Sequence, residues 1–397
     1  MKKRCKTIVL LCLLAMPLTA HGERFFNVWE TSYGWGTPGP TASWLDYISE
    51  IGPGVALHNA KLTIGHQYDS QDFGDARQGF YYPVMGFSLS YQDYTHCHLS
   101  GKFNYTGEHY NWGRFLALSW HHSQYYVASG KFRLRTLWDM GFAYNFNHHD
   151  ESLPNILMPM GGHLQIYLEM GLLASIQTRR YEWSIGPHFI HNSNSNTNEP
   201  NSGINNLGVT LSVRQGAGSL SSSRSFDASK SRDFETSMPR SLEGSTARTH
   251  PRFYLDLMGG LGYTRVEMYP QNLYGQFNFC GAALWQYNPH SAIGLGYDAS
   301  YLPRGDRDDR QFYQGLSFVH TLWMRQWAIQ GQVGAYLGPR HPIMWKDYSR
   351  VYERLALRYH FVRPTRDHKL SPYISFGVKG DGFVAQQLET SIGVCVF

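Results

Sequence analysis

Residues 163–176, HLQIYLEMGLLASI, put Leu164, Ile166, Leu168, Met170, Leu172, Ala174 and Ile176 on one set of alternate positions, with His163, Gln165, Tyr167 and Glu169 on the other. A repeat of two marks a β-strand whose two faces meet different surroundings. Residues 131–146 repeat the pattern, with Phe132, Leu134, Trp138, Met140, Phe142 and Tyr144 set against Lys131, Arg133, Arg135 and Asp139. Further segments of this kind begin near residues 24, 57, 79, 113, 181 and 204, and again near 253, 276, 291, 312, 327, 351, 372 and 384. That makes about sixteen strands, an even number within the range of outer-membrane barrels, each with the roughly 9 to 11 residues a spanning strand needs.

A soluble β-sandwich also alternates, but its strands are shorter. The chain moreover ends in SIGVCVF, and the terminal Phe397 resembles the last strand of outer-membrane proteins. The expected fold is therefore all-β, a transmembrane antiparallel outer-membrane β-barrel. One large barrel is the favoured closure, with an eight-stranded barrel plus a second β unit as the alternative.

Lys2, Lys3, Arg4 and Lys6 precede an apolar run from Thr7 to Met16 and the small residues Ala20 and Gly22. This is the layout of a cleavable secretory signal over residues 1–22. Cys12 sits inside the apolar run, without the small residues a lipoprotein signal places before its cysteine. Residues 216–250 are Ser-rich, mixed in charge and without periodicity, so they read as a disordered connection. The expected organisation is thus a signal at 1–22, a first set of strands over 23–215, a linker over 216–250 and a second set over 251–397.

Composition narrows the class. Charged residues make up 16% of the chain and aromatics 15%, with 27 Tyr and 11 Trp, whereas a soluble domain carries about 25% charged residues. A formal net charge of +5 is too small and too scattered for a nucleic-acid stripe. Beyond the signal lie Cys97, Cys280 and Cys395, an odd number with no close spacing and no legible disulfide framework. The triplet His96-Cys97-His98 lacks a recognised metal-ligand spacing. No metal and no cofactor is expected.

Connections set the orientation, because outer-membrane barrels keep short turns in the periplasm and long loops outside. The turns after the fourth, sixth and twelfth strands are tight, around 128–130, 178–180 and 325–326, while those after the third, fifth, seventh and thirteenth are long. The linker then lies in the periplasm, and the seventh connection, HNSNSNTNEPNSGIN over 191–205, is extracellular.

This hairpin carries the candidate chemistry. Along the seventh strand Tyr181, Trp183, Ile185 and Phe189 form the apolar face, and His191 and Ser193 continue the same register. On the returning strand Leu207, Val209, Leu211 and Val213 are apolar, and Asn205 continues theirs. A hairpin centred near Asn198 sets His191 opposite Asn205. A base, a nucleophile and an orienting amide then stand together on the lipid-facing side, where polar groups are costly.

The run His191-Asn192-Ser193-Asn194, followed by Pro200-Asn201-Ser202-Gly203-Ile204, resembles the signature of the lipid A 3-O-deacylase (PagL) family, outer-membrane barrels that remove an ester-linked acyl chain from lipopolysaccharide. The resemblance covers roughly residues 24–215 and is specific only in the hairpin. It implies catalytic roles for His191 and Ser193 and an oxyanion-hole role for Asn194. The family's acidic third member falls at Asn205, where this sequence departs from the pattern. Outer-membrane phospholipase A also uses His-x-Ser-Asn, with a later Asn as the third member, and needs calcium, for which Asn198 and Glu199 are the nearest candidates.

The resemblance implies an outer-membrane serine esterase acting on lipid A in the outer leaflet, at a 3-O or 3′-O ester. Arg304, Arg307, Arg310, Arg340 and Lys346 lie in other long connections and could meet lipid A phosphates, but a solvated loop face is the favoured reading of them. The reading from a different class is a non-enzymatic porin or scaffold with an inert hairpin.

Overall fold

A computed structural model describes residues 27–38, 49–50, 57–67, 81–99, 112–129, 131–146, 162–178, 181–195, 203–215, 253–265, 273–288, 291–301, 312–324, 326–338, 341–342, 348–362, 369–381 and 384–397. The expected signal at 1–22 and linker at 216–250 lie outside these residues, as do Asn198, Glu199, Arg304, Arg307, Arg310, Arg340 and Lys346.

The first eight long strands are β1 (Val28–Pro38), β2 (Leu57–Gln67), β3 (Tyr81–Asp93), β4 (Arg114–Ser129), β5 (Phe132–Asn145), β6 (Leu164–Gln177), β7 (Tyr181–Ser193) and β8 (Ile204–Gln215). Each pairs antiparallel with its sequence neighbour, and β1 returns to pair with β8 from Trp29↔Gln215 to Pro38↔Asn206, which closes an eight-stranded barrel. The second eight are β9 (Phe253–Arg265), β10 (Leu273–Asn288), β11 (Ser291–Tyr301), β12 (Phe312–Met324), β13 (Trp327–Tyr336), β14 (Val351–His360), β15 (Leu370–Asp381) and β16 (Val384–Val396). They close in the same way, with β9 on β16 from Leu255↔Val396 to Tyr263↔Leu388.

The all-β barrel expectation holds, and the sixteen strands lie where alternation put them. The favoured closure does not hold: there are two eight-stranded barrels, not one large one. The reason lies in the inward faces. An eight-stranded barrel is just wide enough for side chains to fill, whereas sixteen strands enclose an aqueous channel. The inward charges here pair with one another across a narrow lumen.

In the first barrel Lys61 Nζ donates to Asp139 Oδ2 and to Glu169 Oε2, each at 2.8 Å. His121 joins Asp139 at 3.1 Å, and His188 joins Glu169 at 3.1 Å. A second group links Arg135 and Arg214 to Glu30, and Arg133, Arg135 and Tyr125 to Glu182. Four cations, Lys61, Arg133, Arg135 and Arg214, thereby meet four anions, Glu30, Asp139, Glu169 and Glu182.

Glycine makes room for part of this network. A Cβ at Gly34 would stand 2.6 Å from His188 Cε1, and one at Gly208 would stand 2.7 Å from His188 Nε2. The imidazole therefore occupies space that only a residue without a side chain leaves free.

The second barrel is filled on the same plan. Arg354 pairs with Asp298 and, at 2.6 Å, with Glu389, while Arg358 pairs with Asp256 at 2.5 Å. Tyr352 and Tyr373 donate to Asp298 and Asp256 at 2.7 and 2.6 Å. Outward positions of both barrels are apolar and exposed, among them Leu118, Leu164, Trp183, Ile185, Leu295 and Ile392.

Removing one member of a buried ion group leaves its partners uncompensated, at a cost of about 3–5 kcal/mol. Lys61 serves two carboxylates, so Lys61→Met is expected to lower the stability of the first barrel by that order. Urea unfolding in detergent, followed by heat-modifiable gel mobility, reads the change. An unchanged midpoint would mean that the triad contributes nothing.

Candidate active site

The hairpin joining β7 to β8 has the register that alternation predicts, with His191↔Asn205, Asn192↔Ile204 and Leu207↔Phe189 as cross-strand partners. Its lower rungs carry exposed Trp183, Ile185, Leu207 and Leu211 outward, against buried Glu182, Ser184, His188 and Asn206 inward. His191 and Asn205 follow the outward series and are half-buried.

His191 Nδ1 lies 2.7 Å from Asn205 Oδ1. An amide oxygen only accepts, so Nδ1 carries the ring hydrogen and donates it. Nε2 is left with its lone pair, the state a general base needs.

Ser193 is the last residue of β7, and strand alternation gives it the side of His191. It is fully buried, and its Oγ has no hydrogen-bond partner among the described residues. The hydroxyl is therefore not bonded to His191, nor to any other of the described residues. Catalytic hydrogen bonds are often long before substrate arrives and tighten only in the complex.

Asn194 and Ser195 follow, both buried. Ser195 has φ 50°, a left-handed conformation uncommon for a residue with a side chain, and its Oγ also has no partner among the described residues. The returning strand is entered through Gly203 at φ 67°, so the glycine of the Pro200-Asn201-Ser202-Gly203-Ile204 run has a backbone reason to be there.

The structure thus brings His191 and Asn205 into contact, with Ser193 and Asn194 next in the chain. Cys97 is buried at the end of a turn after β3. Among the described residues, no three His, Cys, Asp or Glu side chains group as a metal site. Sequence reasoning missed the inward partners of Asn192, which are Gln92 and Tyr94. Alternation marks Asn192 as luminal but carries no signal for a contact a hundred residues away.

A closed antiparallel barrel, apolar outside and charged within, is an outer-membrane β-barrel. Residues 85–214 match the family model of lipid A 3-O-deacylase (PagL), and residues 253–397 match that of the acyloxyacyl hydrolase C-terminal domain. The lipid A 3-O-deacylase (PagL) match thus falls within the first barrel. The second match spans β9 to β16 and so coincides with the second barrel.

Among solved structures, the outer membrane enzyme PagL aligns at 13% identity over 46% of this chain and 97% of its own, with a TM-score of 0.30. CdiB from Acinetobacter baumannii aligns at 11% identity over 93% of this chain and 59% of its own, with a TM-score of 0.19. An outer membrane channel from Pseudomonas putida aligns at 8% identity over 93% and 94%, with a TM-score of 0.22. A search of curated proteins returned no significant match.

The His191–Asn205 bond makes a prediction of its own. Nitrogen chemical shifts of His191 in the neutral ring are expected to report hydrogen on Nδ1, and Asn205→Ala is expected to move the population toward the Nε2–H tautomer. Identical tautomers in the two proteins would show that Asn205 does not hold the ring.

Proposed function

We propose that the first barrel is a serine esterase that removes an ester-linked acyl chain, at the 3-O or 3′-O position, from lipid A in the outer leaflet. The observation that carries this reading is the His191–Asn205 pair in the lipid-facing register, followed two residues on by a buried serine hydroxyl with no hydrogen-bond partner among the described residues. A polar group on that face opposes the membrane fold, and three in a row need a reason.

In the proposed reaction His191 Nε2 takes the Ser193 proton as Oγ attacks the acyl carbonyl, and Asn205 steadies the imidazole through Nδ1. Asn194 supplies a donor to the developing oxyanion, an effect of about 3 to 4 kcal/mol where single donors have been removed. The sugar hydroxyl leaves with the proton from His191. Water, deprotonated by the same ring, then releases the acyl chain as a free fatty acid and restores Ser193. Substrate arrives sideways through the membrane, which accounts for a site on the outer wall. The second barrel has no second His-x-Ser-Asn run and is assigned no chemistry.

Lipid A from cells expressing the protein is expected to be lighter by one hydroxyacyl chain, and lipid A from cells expressing Ser193→Ala or His191→Ala is expected to keep it. With purified protein each variant should lose about four orders of magnitude in rate or more, while the barrel keeps its heat-modifiable mobility. Activity should persist in EDTA. Calcium-dependent production of lysophospholipid with intact lipid A would contradict this reading and favour the phospholipase, which shares an asparagine as third member.

Asn205 offers a pH test. A carboxylate beside an imidazole favours its charged form, so Asn205→Glu should raise the pH at which His191 becomes a free base. The acid limb of the rate profile then moves to higher pH, and the variant retains more activity than Asn205→Ala. An unmoved acid limb would remove residue 205 from the triad.

A further inference from the structure

Asn192 lies between the two proposed catalytic residues and points the other way. It is fully buried, and its Nδ2 donates to Gln92 Oε1 at 2.8 Å and to Tyr94 Oη at 3.3 Å. Tyr94 Oη in turn donates to the same Gln92 oxygen at 3.1 Å. Gln92 and Tyr94, also fully buried, stand at the end of β3 and one residue beyond it. In the strand order β3 and β7 are four strands apart whichever way the barrel is followed, so this bond crosses its full width.

The far end of that strut is fixed. Tyr94 packs edge-on against Phe115 with centroids 5.3 Å apart and leans on Trp112 at 6.4 Å. Its N–H donates to Gly113 O at 2.8 Å and its carbonyl accepts from Cys97 N–H at 2.9 Å, while Trp112 N–H donates to Cys97 O at 3.1 Å. The near end is a strand terminus, the kind of place where ladders fray first. β7 ends at Ser193, and among the described residues the last rung of its ladder with β8 is Asn192↔Ile204.

We propose that Asn192 is a positioning residue, which ties the catalytic hairpin to the opposite wall of the barrel through Gln92 and Tyr94 and so fixes where His191 and Ser193 stand. The proposal rests on the esterase reading above. Because side chains alternate across a strand, holding Asn192 inward holds both neighbours outward. A displacement of about 1 Å between reacting groups can cost on the order of a hundredfold in rate, so a strut within the barrel governs chemistry on its outside.

The test is a separation of kcat from KM on purified full-length protein with lipid A as substrate. Asn192→Leu is expected to lower kcat about a hundredfold and leave KM within about twofold, because Asn192 does not face the lipid side where substrate binds. Gln92→Leu should act in the same way, and the double variant should be no worse than the poorer single one, as expected for two ends of one contact. Gln92→Glu, which keeps an acceptor oxygen for both donors, should retain most of kcat.

Heat-modifiable mobility establishes that each variant is a folded barrel. If Asn192→Leu does not fold, Tyr94→Phe carries the test, since it keeps the ring packing and loses only the hydroxyl, and a several-fold fall in kcat is expected. A folded Asn192→Leu with wild-type kcat, or additive losses in the double variant, would overturn the strut while leaving the esterase reading intact. A wild-type protein that does not deacylate lipid A would overturn both.

Discussion

In the hydrocarbon region a polar group has no water to turn to, and the rest of this structure follows from that constraint. Backbone N–H and C=O groups must pair within the chain, so a sheet has to close on itself. Both sets of strands do so, through β1 on β8 and β9 on β16. The same constraint acts on side chains. Buried ion pairs lie on the inward face, where Lys61 meets Asp139 and Glu169, and where Arg354 meets Asp298 and Glu389. Each lumen is a neutralised, hydrogen-bonded filling rather than a channel.

Against that background the outward side of the β7–β8 hairpin departs from the apolar pattern. His191 and Asn205 interrupt an apolar face at its end, and their bond leaves Nε2 of the ring available as a base. Inside and outside meet at Asn192, which spends its amide on Gln92 and Tyr94 in the lumen while its two neighbours turn the other way. On the proposed reading, the filling of the barrel also braces the hairpin that carries the candidate esterase residues. Chemistry placed on a wall needs the wall braced from behind.

Much of this was legible in the chain, and the reason is the membrane itself. A lipid face tolerates few polar residues, so a period of two stands out, and the alternation of residues 131–146 and 163–176 gave both strand positions and facing. The pairing of His191 with Asn205 followed from the same register and a hairpin centre near Asn198, and the observed ladder agrees. Alternation says nothing, however, about which distant strand closes a sheet. Sixteen strands fit one barrel or two, and the choice depends on whether inward charges pair across the lumen, as Lys61 does with Glu169 over 108 residues. The Asn192 strut was hidden for the same reason. Ser195 in its left-handed conformation left no trace either, since serine is not a residue type that signals a positive φ.

The central claim is that Ser193 is a nucleophile activated on the lipid side of the first barrel. The most direct measurement is peptide mapping of the protein after inactivation by a long-chain alkylphosphonate ester, which phosphorus-bonds to an activated serine and stays attached. The account predicts a single stoichiometric adduct on Ser193, with none on the His191→Ala protein. An adduct on a different residue, or inactivation that proceeds equally well without His191, would contradict it.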